Sequence, residues 1–286
     1  MTSRILALLI AAPAVLGAQS GPPCRPNAST NEAKLLAFYA MPLGFAAAPE
    51  IAGLSRGQLS LAGDLTMVPS PSASIKTSSG ACGFNKSENS ELAPVFPRPR
   101  VAIGLGHRLV FEASYLPPVT VADATPNLFG FALSWASARR VAGDAPRLQL
   151  RAHATFGGVT GPITCSPDAI QQTSASQPCY GTRPSGDTYS PNVRGVEAIV
   201  SAPLGGVRVY GGAGVNVLAS HFKVDFTDAR GPAFHDGNEV EISLTRIAVL
   251  AGATWAPRPR VTLSGQLYAV PSDGFTGRLG IAWRAR

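Results

Sequence analysis

Asp64, Glu112, Arg147, Arg151, His153, Glu197, Arg208 and Arg278 are ionisable residues that fall on the polar side of segments alternating apolar and polar residues. Carboxylates, guanidinium groups and an imidazole facing one enclosed space can do two things. They can bind or pass a polar solute, or they can pair with one another and fill the space. Pairing is the plainer reading, because a buried charge needs a partner. His153 has no serine or aspartate placed to make it a catalytic base, and neither do the other histidines. Gly53-Leu54-Ser55-Arg56-Gly57 fits G-x-S-x-G, but a nucleophile elbow needs a strand-to-helix turn in an α/β sheet, and the next segment in this chain is an alternating strand. Asp225, Asp228, His235, Asp236, Asn238 and Glu239 supply hard oxygen ligands in one stretch, yet their spacing matches no ordered calcium loop. The expectation is therefore a non-enzymatic protein with no catalytic residue, no metal ligand and no cofactor.

The four cysteines, Cys24, Cys82, Cys165 and Cys179, are far apart and lack a C-x-x-C pair, which disfavours zinc and dithiol redox chemistry. In an oxidising compartment they are disulfides by default. Cys165 and Cys179 share one polar loop, which leaves Cys24 with Cys82, although four cysteines permit three connectivities. The chain opens with Arg4, an apolar run from Ile5 to Leu16, and Gly17-Ala18 before Gln19. That is the pattern of a secretory signal peptide over residues 1–18, too short to span a bilayer, with cleavage after Ala18. The formal charge of +7 becomes +6 once Arg4 leaves, and Lys and Arg are scattered rather than gathered in a stripe. Nucleic-acid binding is disfavoured on that ground, and attraction to anionic membrane lipid is the better use of the charge.

The elements that must position these residues are strands. With 45% hydrophobic and only 14% charged residues, the chain is apolar for an exported protein, and the apolar residues recur at period two. Arg147 to Phe156 sets Leu148, Leu150, Ala152, Ala154 and Phe156 against Arg147, Gln149, Arg151, His153 and Thr155. No amphipathic helix alternates so strictly. Similar segments run over 58–68, 98–105, 109–115, 127–137, 193–202, 207–222, 239–255, 260–269 and 275–286. About ten such strands, eight as the near alternative, joined alternately by short turns and long polar loops, predict an all-β transmembrane antiparallel barrel with short periplasmic turns and longer external loops. Even strand numbers put both termini on the periplasmic side. In 239–255 the apolar phase changes from Val240, Ile242 and Leu244 to Ile247, Val249 and Ala251, which predicts a β-bulge near Arg246. Tyr115, Phe129, Trp135, Trp255 and Trp283 are candidate interfacial girdle residues.

The final strand places Phe275, Leu279, Ile281 and Trp283 on one face and Arg278, Gly280 and Arg284 on the other. Here the chain resembles bacterial outer-membrane β-barrel proteins, whose last strand alternates in this way and commonly closes on an aromatic residue. The resemblance covers residues 58–286 and is to a class rather than a particular family. It implies an outer-membrane location, outer-membrane lipid and the barrel-assembly machinery as partners, and a small solute as the cargo if the barrel conducts.

Residues 19–57 form a separate N-terminal segment. It reads as a periplasmic tail, as a strand or interfacial segment beside the barrel, or as a lumen plug. A Cys24–Cys82 bond to an external loop would require the segment to cross the lumen, and its length suffices. Function then divides between a structural or solute-passing surface barrel and a plugged barrel transporting hydrophobic small molecules. A secreted or periplasmic β-sandwich binding protein is a third reading, in which the alternation reflects one buried face.

Overall fold

The alternating segments form ten long strands in the computed structural model, which describes residues 22–45, 54–83, 94–137 and 146–285. The leader expected over residues 1–18 lies outside them, as do Gly53 and residues 138–145. The strands are β1 (Leu59–Met67), β2 (Val95–Gly106), β3 (Leu109–Leu116), β4 (Thr125–Ala136), β5 (Arg147–Gly161), β6 (Val193–Leu204), β7 (Val207–Leu218), β8 (Leu244–Arg258), β9 (Val261–Val270) and β10 (Gly274–Arg284). Each pairs antiparallel with the next, and β1 pairs with β10 through Leu61 opposite Trp283. The sheet therefore closes, which leaves no barrel edge unpaired and satisfies the backbone polar groups that hydrocarbon cannot. A single closed sheet also replaces the two packed layers that the sandwich reading requires.

Closure sorts the side chains. Leu61, Leu65, Phe131, Leu133, Leu150, Val196, Val249, Leu267, Leu279 and Ile281 are exposed on the outer surface, while Asp64, Glu112, Arg151, Glu197 and Arg278 are buried inside. A water-soluble protein buries such aliphatic rows; an exposed continuous belt of them is the surface of a barrel that stands in lipid. The girdle residues divide between its two rims. Trp135, Trp255 and Trp283 lie opposite Leu109, Val207 and Val261, at the end with the short turns. Tyr115 stacks on Phe129 at 4.6 Å at the end with the long loops.

The β2–β3 connection shows how short those turns are. His107 and Arg108 take the turn with φ of 49° and 68°, preceded by Gly106 at 90°. At the other rim, three short strands, Asp187–Ser190, His221–Lys223 and Glu239–Glu241, pair in sequence and continue the wall upward from β5.

Inside the upper half lies one helix, α1 (Asn31–Leu43). Thr30 caps it, its Oγ1 accepting from the Ala33 amide. Ala33, Leu35, Leu36, Ala37, Phe38, Tyr39 and Ala40 are buried on every side, as expected of a helix enclosed by protein. Leu116, Leu128, Val193, Leu218, Val240 and Ile242 point inward to meet them. Each fully buried side chain of this size contributes about 1.5–3 kcal/mol, so the contact is a core in its own right.

Three expectations change as a result. No β-bulge occurs near Arg246: β8 pairs with β7 in unbroken register from Leu244 opposite Leu218 to Trp255 opposite Val207. Val240 and Ile242 are apolar because they face α1, and the even-numbered inward phase runs on through Ala248 and Leu250. The lumen is not polar throughout, for its upper half is apolar. Nor do both ends of the described chain share one rim: β10 finishes at the short-turn end, whereas Cys24 stands among the long loops, bridged to Val240.

Candidate functional site

Two features of the lumen can carry function, a charged layer in mid-barrel and a cavity above α1. The charged layer forms because inward positions on neighbouring strands stand side by side. Arg100 on β2 donates to Asp64 on β1 at 3.1 Å and to Glu112 on β3 at 2.6 Å. On the far wall Arg151 donates to Glu197 at 2.8 Å, and His153 Nε2 lies 3.5 Å from the same carboxylate. Charges paired in this way fill the barrel at that level.

The remaining arginines of the layer act on α1. The Arg98 guanidinium donates to the Leu43 carbonyl at 2.6 Å, and that of Arg278 donates to the Met41 and Gly44 carbonyls at 3.3 and 3.2 Å. A helix end leaves carbonyls without partners and carries partial negative charge. α1 has no basic residue in its last turn, so the wall supplies the cations. Phe45 comes next, its amide donating to Thr155 Oγ1 at 2.7 Å. Its ring sits against Gly130, where any Cβ would stand 2.8 Å from Phe45 Cγ. The turn thus needs glycine on β4.

Of the ionisable residues singled out in the sequence, Asp64, Glu112, Arg151, His153, Glu197 and Arg278 meet in this layer. Arg147 is buried opposite Ser201 near the short-turn rim, and Arg208 is half-buried opposite Thr254, so both stand apart from it. Arg98 and Arg100 are missing from that set although the alternating segment 98–105 contains both and their even-numbered spacing marks them as inward. Arg246, paired with Asp273 at 3.0 Å, was hidden by the apparent change of phase.

The other candidate residues serve structure. Ser55 sits in the turn before β1, where its amide meets Gln58 Oε1. In the 223–239 loop Asp228 pairs with Arg230 at 2.8 Å and Glu239 with Lys223 at 3.3 Å. Those cations hold both carboxyls below their usual range. His235 Nδ1 meets Thr227, and the Asn238 amide donates to Asp236. Two disulfides form: Cys24–Cys82, which ties the segment before α1 to the β1–β2 loop, and Cys165–Cys179 within the β5–β6 loop.

The cavity, of about 370 Å³, opens among the long loops. Its floor is α1 itself, through Leu35, Leu36 and Tyr39, and its walls include Val159, Ile163 and Phe222. That volume lies within the range of small-molecule sites. Glu32, also on its wall, accepts from the hydroxyls of Ser78 and Ser79 and from the Ser79 amide. Burial pushes its carboxyl up, but those bonds outweigh burial and hold it below its ordinary value.

No family model matches the chain, and no curated protein does. Among solved structures it is similar to Ail, the attachment invasion locus protein of Yersinia pestis, at 11% identity and a TM-score of 0.29 over 80% of this chain and 99% of that one. The translocator domain of the autotransporter NalP from Neisseria meningitidis gives 12% and 0.36 over 82% and 91%. The N-terminal β-barrel domain of Pseudomonas aeruginosa OprF gives 10% and 0.27 over 81% and 100%. These likenesses are too distant to say what the chain binds or does. On its own strand pairing and outward apolar belt, the chain has the architecture of the bacterial outer-membrane β-barrel class.

Proposed function

We propose that this is a non-enzymatic outer-membrane barrel closed by its own N-terminal helix, which takes up small apolar molecules from the external side through the cavity above α1. The observation that carries this reading is that the cavity's floor is the same helix that fills the upper lumen. A ligand seated there touches the element that must move for anything to pass. The long loops stand outside, the short turns in the periplasm, and the chain is exported on its leader and inserted by the barrel-assembly machinery. The paired charges below α1 support closure rather than a standing aqueous pore, because little free charge remains to line one.

Fractionation and uptake test it together. The protein is expected in the outer-membrane fraction, released only by detergent, and intact cells carrying it should take up the apolar dye N-phenylnaphthylamine faster than cells without it. Recovery in the soluble periplasm overturns the location, and equal dye uptake overturns the transport reading.

A further inference from the structure

The cavity above α1 has a charge pattern that its apolar floor does not need. Its ionisable lining is Glu32, Asp123 and Asp168 against one lysine, Lys76. Three acidic residues against one lysine make the lining locally acidic on a chain whose formal charge is +7. Glu32 stays ionised because serine donors surround it. Asp123 lies in a tight turn with φ of 61°, a conformation that aspartate and asparagine tolerate better than most residues. The turn is pinned by paired bonds between Val121 and Ala124, so the carboxylate is carried on a fixed support. Asp168 is the middle residue of the short 3₁₀ turn Pro167–Ala169 in the next loop. Leu35, Leu36 and Val159 supply the apolar interior between them.

We propose that the cavity selects amphiphiles with a compact apolar body and a positively charged head, the body resting on α1 and the head at the Asp123 and Asp168 carboxylates. This deepens the reading of the cavity as the entry site and rests on it. An apolar pocket alone binds neutral and charged heads by the same buried area; the acidic mouth adds attraction for a cation and repulsion for an anion. In a partly enclosed mouth at ordinary ionic strength that difference is on the order of tenfold in affinity.

The test uses three probes with one body: 4-phenylbutylammonium, 4-phenylbutanol and 4-phenylbutyrate. The full mature chain in zwitterionic nanodiscs is titrated with each by calorimetry, with empty nanodiscs subtracted. The ammonium is expected to bind about tenfold more tightly than the alcohol, and the carboxylate most weakly. Asp123→Asn with Asp168→Asn should abolish the ammonium's advantage while leaving the alcohol unchanged, a readout that misfolding would not give. Ala124→Trp, on the cavity wall, should weaken all three. Equal affinity for ammonium and alcohol, tightest binding of the carboxylate, or binding that survives Ala124→Trp overturns the proposal. So does failure of all three probes to bind. Dye uptake by intact cells, read separately, tells loss of this selectivity from loss of the transport reading.

Discussion

Replacing the two arginines that hold α1 should loosen the helix in the lumen. In Arg98→Met with Arg278→Met, the carbonyls of Met41, Leu43 and Gly44 lose three charge-assisted hydrogen bonds, one of 2.6 Å and two of 3.2–3.3 Å. Such bonds contribute about 1.5–3 kcal/mol each, and the two long ones belong at the low end. Against that stands relief from burying two guanidinium groups in one lumen, both of whose side chains are almost fully enclosed. A net shift of about 2–3 kcal/mol toward a displaced helix remains, which raises the displaced population roughly 30- to 150-fold. Single-channel recording in planar bilayers reads this directly. The unaltered protein should be nearly silent, the double variant should show openings more frequent by that factor, and a reductant that cleaves Cys24–Cys82 should increase them further. Arg258→Met, at an exposed position near the short-turn rim, is the matched control and should stay silent. A double variant that keeps the heat-modifiable gel migration of a folded barrel yet opens no more often than the control would refute the latch.

The same contacts set four further outcomes. Glu197→Gln leaves Arg151 enclosed beside a neutral partner and should cost about 3–5 kcal/mol of barrel stability, read as a lower urea midpoint for refolding into lipid vesicles. Cys24→Ser with Cys82→Ser removes a bond that spans 58 residues, so a stabilisation of about 4 kcal/mol on the chain-entropy account is lost, and protease should cut the 22–30 segment faster. Leu267→Arg places a charge on the outer belt and should destabilise insertion by about 2–4 kcal/mol, whereas the same change at Val261, beside the Trp283 rim, should cost much less. The Glu32 carboxyl is held below its ordinary value of 4.5 in the folded chain, so its contribution is complete above that pH and is lost as pH falls through the lowered value. Acidification below about 4.5 should therefore lower the hydrogen-exchange protection of residues 78–80 relative to the intrinsic rate at each pH, and Glu32→Gln should show that lowered protection at every pH.

The barrel was legible because lipid outside and protein inside force a change of character at every residue, and residues 147–156 of β5 and the last strand, β10, show that rule most plainly. The pairing of Cys24 with Cys82 pointed toward a segment in the lumen, yet not to the helix that fills its upper half. α1 is apolar on every side apart from Lys34 and its first turn and carries Pro42 near its end, so no 3.6-residue period announces it. An enclosed helix also inverts the rule for the wall around it. Val240 and Ile242 are inward and apolar, and hydropathy alone cannot distinguish that from a change of register. The latch was beyond reach for a different reason. Arg98 and Leu43 are 55 residues apart and Arg278 and Met41 are 237 apart, so only the closed topology brings them together. Within the charged layer, by contrast, Arg151 and Glu197 are cross-strand neighbours, and identifying the inward face was enough to place both on it.

Lipid contact along the last strand can be measured residue by residue. Single bimane-labelled cysteines at positions 276 to 283, introduced with both native disulfides intact, would be read for quenching by doxyl-labelled lipid. Labels at Gly277, Leu279, Ile281 and Trp283 should be quenched and those at Thr276, Arg278, Gly280 and Ala282 protected, a strict alternation along β10. Uniform quenching, uniform protection or the opposite phase would contradict a closed cylinder whose apolar rows face the membrane.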